Sequence, residues 1–89
     1  MQTRVVGLYY RPAAARVAVE ELSPGDTLRL EPDPDNKFDE YAIKVFSGDI
    51  HIGYIPSRLA AYLDPPPTEG TFIKLEQERK NLYPVIELP

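Results

Sequence analysis

The densest group of side chains able to do chemistry lies in the run Glu31-Pro32-Asp33-Pro34-Asp35-Asn36-Lys37-Phe38-Asp39-Glu40. Five carboxylates and one amide in ten residues invite the test of a calcium loop, because hard oxygen ligands suit that ion. The spacing fails: counted from Asp33, the fifth position is Lys37, the sixth is Phe38 instead of glycine, and the twelfth is Lys44 instead of glutamate. Two compatible readings remain. In one, Pro34, Asn36 and Asp39 build Asx-type turns that satisfy the loop's own backbone, and Phe38 plugs the end of a barrel. In the other, Asn36 and Asp39 face a cleft and hydrogen-bond a ligand hydroxyl. An ionised carboxylate only accepts hydrogen bonds, so it suits a hydroxyl and repels a phosphate.

Aromatic residues supply the second kind of chemistry. Tyr9 and Tyr10 are read as neighbours on a strand, which sends them to opposite faces. One then belongs to the core, and the other is an exposed platform on which a nucleobase can stack. Tyr54, in Gly53-Tyr54-Ile55-Pro56, is either a packed corner or a ligand contact, and Gly53 hints at a close backbone approach. The lone histidine, His51, reads as an exposed strand residue rather than a catalyst. Nucleophilic catalysis finds no support: Ser23, Ser47 and Ser57 sit in turn or cap contexts, and cysteine is absent. Asp35 and Asp39 are a conceivable acid–base pair, but nothing in the sequence raises a carboxyl pKa as that role requires. There is no glycine-rich phosphate loop. These residues describe a binding protein that uses no cofactor and no metal.

The elements that must position these groups are mostly strands. Val5–Tyr10, Thr27–Glu31, Tyr41–Phe46, Ile50–Ile55, Thr71–Glu76 and Val85–Leu88 are rich in β-branched and aromatic residues. Ser47-Gly48-Asp49 joins the third and fourth into a hairpin, and Asn81 falls in the reversal between the last two. Ser57 is a candidate cap for a helix carrying Leu59, Ala60 and Leu63 on one stripe, which Asp64-Pro65-Pro66-Pro67 terminates. Residues 12–22 read as a second short helix opened by Pro12, although Ala15, Val17 and Val19 also alternate as in a strand. The expectation is a mainly β fold, a small OB-like or SH3-like barrel of five to six strands with one or two short helices, formed by residues 1–89 as one domain.

Composition narrows the function. The 89 residues carry 14 acidic and 10 basic side chains, a net charge of −4 that disfavours an architectural duplex-DNA binder. The charge is uneven. Residues 31–40 hold five acids against Lys37, whereas residues 1–30 hold four arginines against Glu20, Glu21 and Asp26. No stretch approaches the roughly 20 apolar residues of a membrane-spanning helix, and the first residues lack a signal-peptide pattern. A cytoplasmic protein with no membrane partner is expected.

Three landmarks occur in order: Val6-Gly7-Leu8-Tyr9-Tyr10, then Glu31-Pro32-Asp33-Pro34-Asp35-Asn36-Lys37-Phe38-Asp39-Glu40-Tyr41-Ala42-Ile43-Lys44-Val45, then Ile52-Gly53-Tyr54-Ile55-Pro56. Together they resemble the HIRAN domain, which occurs at the N-terminus of certain SWI/SNF-type DNA-repair helicases and stands alone in bacteria. The resemblance implies an OB-like β-barrel and, as in a eukaryotic helicase-like member, capture of the 3′-hydroxyl end of single-stranded DNA. By position, Tyr9 and Tyr10 match the paired tyrosines that contact the terminal nucleotides. Asn36 and Asp39 match the loop pair near the 3′-hydroxyl, Phe38 the aromatic between them, and Tyr54 a histidine beside the terminal nucleotide. The arginine that precedes the tyrosine pair in that member is Leu8 here, so its phosphate contact is lost unless Arg11 or Arg4 substitutes. The resemblance further implies a role in DNA repair beside a helicase or nuclease partner. The competing reading is a protein-interaction module that docks a basic partner on its acidic loop.

Overall fold

The computed structural model describes residues 1–89. Six strands make one antiparallel sheet: β1 Gln2–Arg4, β2 Thr27–Pro32, β3 Ile43–Ser47, β4 Ile50–Tyr54, β5 Glu69–Glu78 and β6 Asn81–Glu87. Their order across the sheet is β1-β6-β5-β2-β3-β4. Two helices accompany them, α1 Ala13–Glu20 and the single turn α2 Ser57–Ala60. Alternation in β2 turns Leu28 and Leu30 inward and leaves Arg29 and Glu31 in water, as period two demands. Leu28, Leu30, Val45, Ile52, Phe72 and Ile86 pack in one core, with Ala15 and Val19 of α1 laid against it.

The sheet is mainly β as expected, but a full ladder around a barrel is not formed. The edge strands β1 and β4 share no ladder; a single isolated bridge links Val6, two residues beyond β1, to Tyr54 of β4, and these two exchange N–H···O bonds of 2.8 Å in both directions. Gly53 permits that approach: a Cβ on it would lie 2.4 Å from the Val6 carbonyl oxygen. The close approach read at Gly53 is therefore present.

The first expected strand, Val5–Tyr10, is not formed: β1 ends at Arg4, and within the expected run only Val6 makes a bridge. Gly7 adopts φ 88°, in the left-handed region where a glycine carries no Cβ penalty, and breaks the extended run. Leu8–Tyr10 then form a 3₁₀ turn, closed by Tyr10 N–H to Gly7 O and Arg11 N–H to Leu8 O. Consequently Tyr9 and Tyr10 do not lie on opposite faces of a strand. Both are exposed, and Leu8 is the residue that enters the core. Residues 12–22 do contain a helix, with Pro12 as its N-cap. At α2 the N-cap is Pro56 rather than Ser57, and no side chain caps it. Asn81 is the first residue of β6, opposite Glu78, because the reversal needs only Arg79 and Lys80.

Candidate functional site

The acidic loop folds on itself through its amide. Asn36 Oδ1 accepts hydrogen bonds from the backbone N–H of Phe38 and of Asp39, at 2.9 and 3.1 Å. Asn36 Nδ2 donates to Asp33 Oδ2, and Asp39 Oδ1 accepts from Tyr41 N–H at 2.9 Å. These are the Asx-type turns expected of such residues. Half of each polar side chain is left unused: the second amide hydrogen of Asn36 and the second oxygen of Asp39 take no partner in the protein. The loop's acidity is also reduced, since Glu31 pairs with Arg29 at 2.9 Å and Asp33 faces Lys44 at 4.0 Å.

Phe38 does not plug a barrel end. It is 97% exposed, because the two N–H bonds to Asn36 hold its backbone at the outer lip of the loop. From there its ring borders an open cleft of about 520 Å³, the largest cavity of the molecule. Tyr10, Asn36, Phe38, Asp39 and Tyr54 all line that cleft. Buried Ala42 and Ile55 contribute its apolar floor. Three separate segments meet here because the Val6–Tyr54 bridge brings the segment that follows β1 against β4, and β4 pairs with the strand that follows the loop.

Tyr54 is held in place from behind. His51 packs edge-on to it at 4.8 Å between ring centroids, and Phe46 lies on the other side of His51 at 5.3 Å. His51 Nε2–H donates to the Gly53 carbonyl oxygen at 2.9 Å. His51 is therefore half-buried, not an exposed strand residue. Burial holds its pKa below the ordinary histidine value, and the nearby Arg11 guanidinium lowers it further.

Two expected site residues stand outside the cleft. Tyr9 meets Tyr10 edge to face at 5.4 Å but lines the neighbouring hollows. Arg11 donates through Nε to the carbonyl oxygen of His51 at 3.1 Å and has no carboxylate partner, so its charge remains available beside the tyrosine turn. Arg4 cannot take over a phosphate contact in the same way. It is bound to Glu76 at 2.8 Å and to Glu78 at 3.7 Å, and it covers the Tyr83 ring. Its pKa is raised, chiefly by the Glu76 hydrogen bond. Leu8 is buried, and its apolar side chain offers no charge to a phosphate. Sequence reasoning missed Val6 and Ser57 as cleft residues; only their positions next to Gly7 and after Gly53-Tyr54-Ile55-Pro56 could have indicated them.

A second cavity, of about 370 Å³, lies behind the loop between Tyr41, Leu63 and Pro66. Its charged members are Glu40 and Asp64; it shares Ala42 with the first cleft but holds none of Tyr10, Asn36, Phe38, Asp39 and Tyr54, which line that cleft.

Comparison with known proteins bears on these residues. The family model described as HIRAN domain matches residues 1–76. Among solved structures, the HIRAN domain of human HLTF superimposes with a TM-score of 0.61 at 23% identity, over 97% of this chain and 73% of that one. That likeness establishes a shared fold. No curated protein matches the chain significantly.

Proposed function

The chain belongs to the HIRAN domain family, a family of DNA-binding modules, and on that premise we propose that it binds single-stranded DNA and selects its 3′-hydroxyl end. The observation that carries this reading is the single cleft shared by Tyr10, Asn36, Phe38, Asp39 and Tyr54. Its volume of about 520 Å³ falls within the range of small-ligand sites. A terminal base would stack on the exposed rings of Tyr10 or Phe38, a contribution of ~1–3 kcal/mol. The terminal hydroxyl would donate to the free oxygen of Asp39 and accept from the free amide hydrogen of Asn36. A terminal phosphate in the same place would meet the Asp39 charge and be rejected. Arg11 supplies a cation next to the tyrosine turn in place of the one that Leu8 lacks.

The module is non-catalytic in this reading. It holds an end on which a helicase or nuclease partner would act. Residues 1–89 serve as one domain, since β6 pairs with both β1 and β5 to complete the sheet. No helix is long and apolar enough to cross a membrane. Docking of a basic protein on the loop is the weaker alternative, because Arg29 and Lys44 already occupy two of its carboxylates.

The test is fluorescence anisotropy with oligonucleotides identical but for a 3′-hydroxyl or a 3′-phosphate. Tighter binding of the hydroxyl form is expected. Equal affinity for the two forms, or no binding at low salt, refutes end selection. A partner retained from lysate after nuclease treatment would instead support protein docking.

A further inference from the structure

The cleft does not stop at Tyr10. The same ring lines a second hollow of about 240 Å³ together with Gly7, Tyr9, Asn81 and Leu82. Tyr9 in turn lines a third, of about 230 Å³, whose outer wall is Arg11, Arg16 and Lys80. Three depressions are thus joined in series by the two tyrosines, and polarity changes along them. Asn36 and Asp39 stand at one end and three cations at the other.

We propose that the basic hollow is a second subsite, which holds backbone phosphates of nucleotides upstream of the strand end seated in the cleft. The inference rests on the end-binding reading for the direction of the strand, and on separate residues for its chemistry. Arg11 and Lys80 have no carboxylate within 4.0 Å, in contrast to Arg4, Arg29, Lys44 and Lys74. Arg16 has only Glu20, at 3.9 Å and with both side chains more than half exposed, a pairing that a phosphate can displace at little cost. Pro12 and Ala13, at the start of α1, line the same hollow, and no acidic residue lies in that helix's first turn. The positive end of the helix therefore adds to the cations. Lys80 is set there by the two-residue turn between β5 and β6, in which Arg79 adopts φ 58°. On a chain of net charge −4, this concentration of positive charge marks where a polyanion can run.

The polarity follows. A strand enters over Arg16 and Lys80, crosses Tyr9 and Tyr10, and ends at Asn36 and Asp39, so on this path a terminal dinucleotide seated on the tyrosines should make no phosphate contact with Arg16 or Lys80. The experiment compares a thymidine hexanucleotide with a thymidine dinucleotide, each with a 3′-hydroxyl, on wild type and on the Arg16→Gln/Lys80→Gln double variant. Both side chains are exposed, and circular dichroism checks the fold. Each phosphate contact on a single strand adds about 0.7 to the salt slope, so two contacts add about 1.4. Between 50 and 200 mM salt the wild-type hexanucleotide affinity should fall about sevenfold more than that of the variant. Dinucleotide binding and the preference for 3′-hydroxyl over 3′-phosphate should be unchanged. An unaltered hexanucleotide slope in the variant, with end preference intact in wild type, overturns the subsite and leaves the end reading standing. Loss of slope in the variant, with no end preference in wild type, supports the phosphate site and overturns the end reading.

Discussion

Replacing Asp39 by asparagine isolates the chemistry assigned to the cleft. The side chain keeps its shape, and its retained carbonyl oxygen can still accept from Tyr41 N–H, the bond of 2.9 Å that closes the loop. What changes is the second oxygen, which has no partner in the protein and becomes an NH₂ donor. A ligand hydroxyl then loses a charged acceptor, a change of about 1.5–3 kcal/mol, or roughly 10- to 150-fold in affinity. A terminal phosphate gains. At about 4 Å the repulsion between two unit charges is about 1 kcal/mol in bulk water and about 4 kcal/mol near a protein surface. This open cleft lies between those limits, so removing the charge should tighten 3′-phosphate binding at least fivefold. The preference should therefore collapse or invert, as measured by anisotropy on hexanucleotides with the two ends at 50 mM salt. Thermal unfolding should show a melting temperature close to that of wild type. An Asp39→Asn protein that folds normally and retains the wild-type preference would refute the role given to this carboxylate.

Three further outcomes are expected. Tyr10→Ala should weaken oligonucleotide binding by about 1–3 kcal/mol, with unfolding unchanged, since the residue is 85% exposed and its aromatic partner, Tyr9, is exposed as well. Titration calorimetry beside a denaturant melt separates the two. Gly53→Ala forces a Cβ to 2.4 Å from Val6 O and should break the Val6–Tyr54 bridge, at a cost of about 3 kcal/mol. For a domain of this size that lowers the melting temperature by about 12–24 °C, and an unshifted melt would contradict the closure described at that bridge. His51 has a folded pKa depressed below 6.5, first by burial and then by Arg11, so the unfolded chain binds its proton more readily. Its contribution is present above pH 6.5 and is lost as pH falls through the lower folded value. Urea midpoints should decline over that window in wild type but not in His51→Gln.

Residue order and chemistry were sufficient for the strands of the central hairpin and for the Asx turns at Asn36 and Asp39, and they favoured without settling a helix within residues 12–22. Alternating apolar residues and Asx turns are local features, governed by side-chain period and by bonds to backbone two or three residues away. The same local logic misread Val5–Tyr10. β-branched and aromatic residues argue for a strand, but only the rest of the sheet determines that Gly7 turns at φ 88° and sends Leu8 inward. The exposure of Phe38 and the half-burial of His51 escaped for a related reason: burial depends on which distant segment covers a residue, and the residue itself does not encode that. The meeting of Tyr10, the acidic loop and Tyr54 around one cleft likewise belongs to tertiary structure. These segments are separated by more than twenty residues in places, and they converge because Gly53 lets two backbones pair where any larger residue would hold them apart.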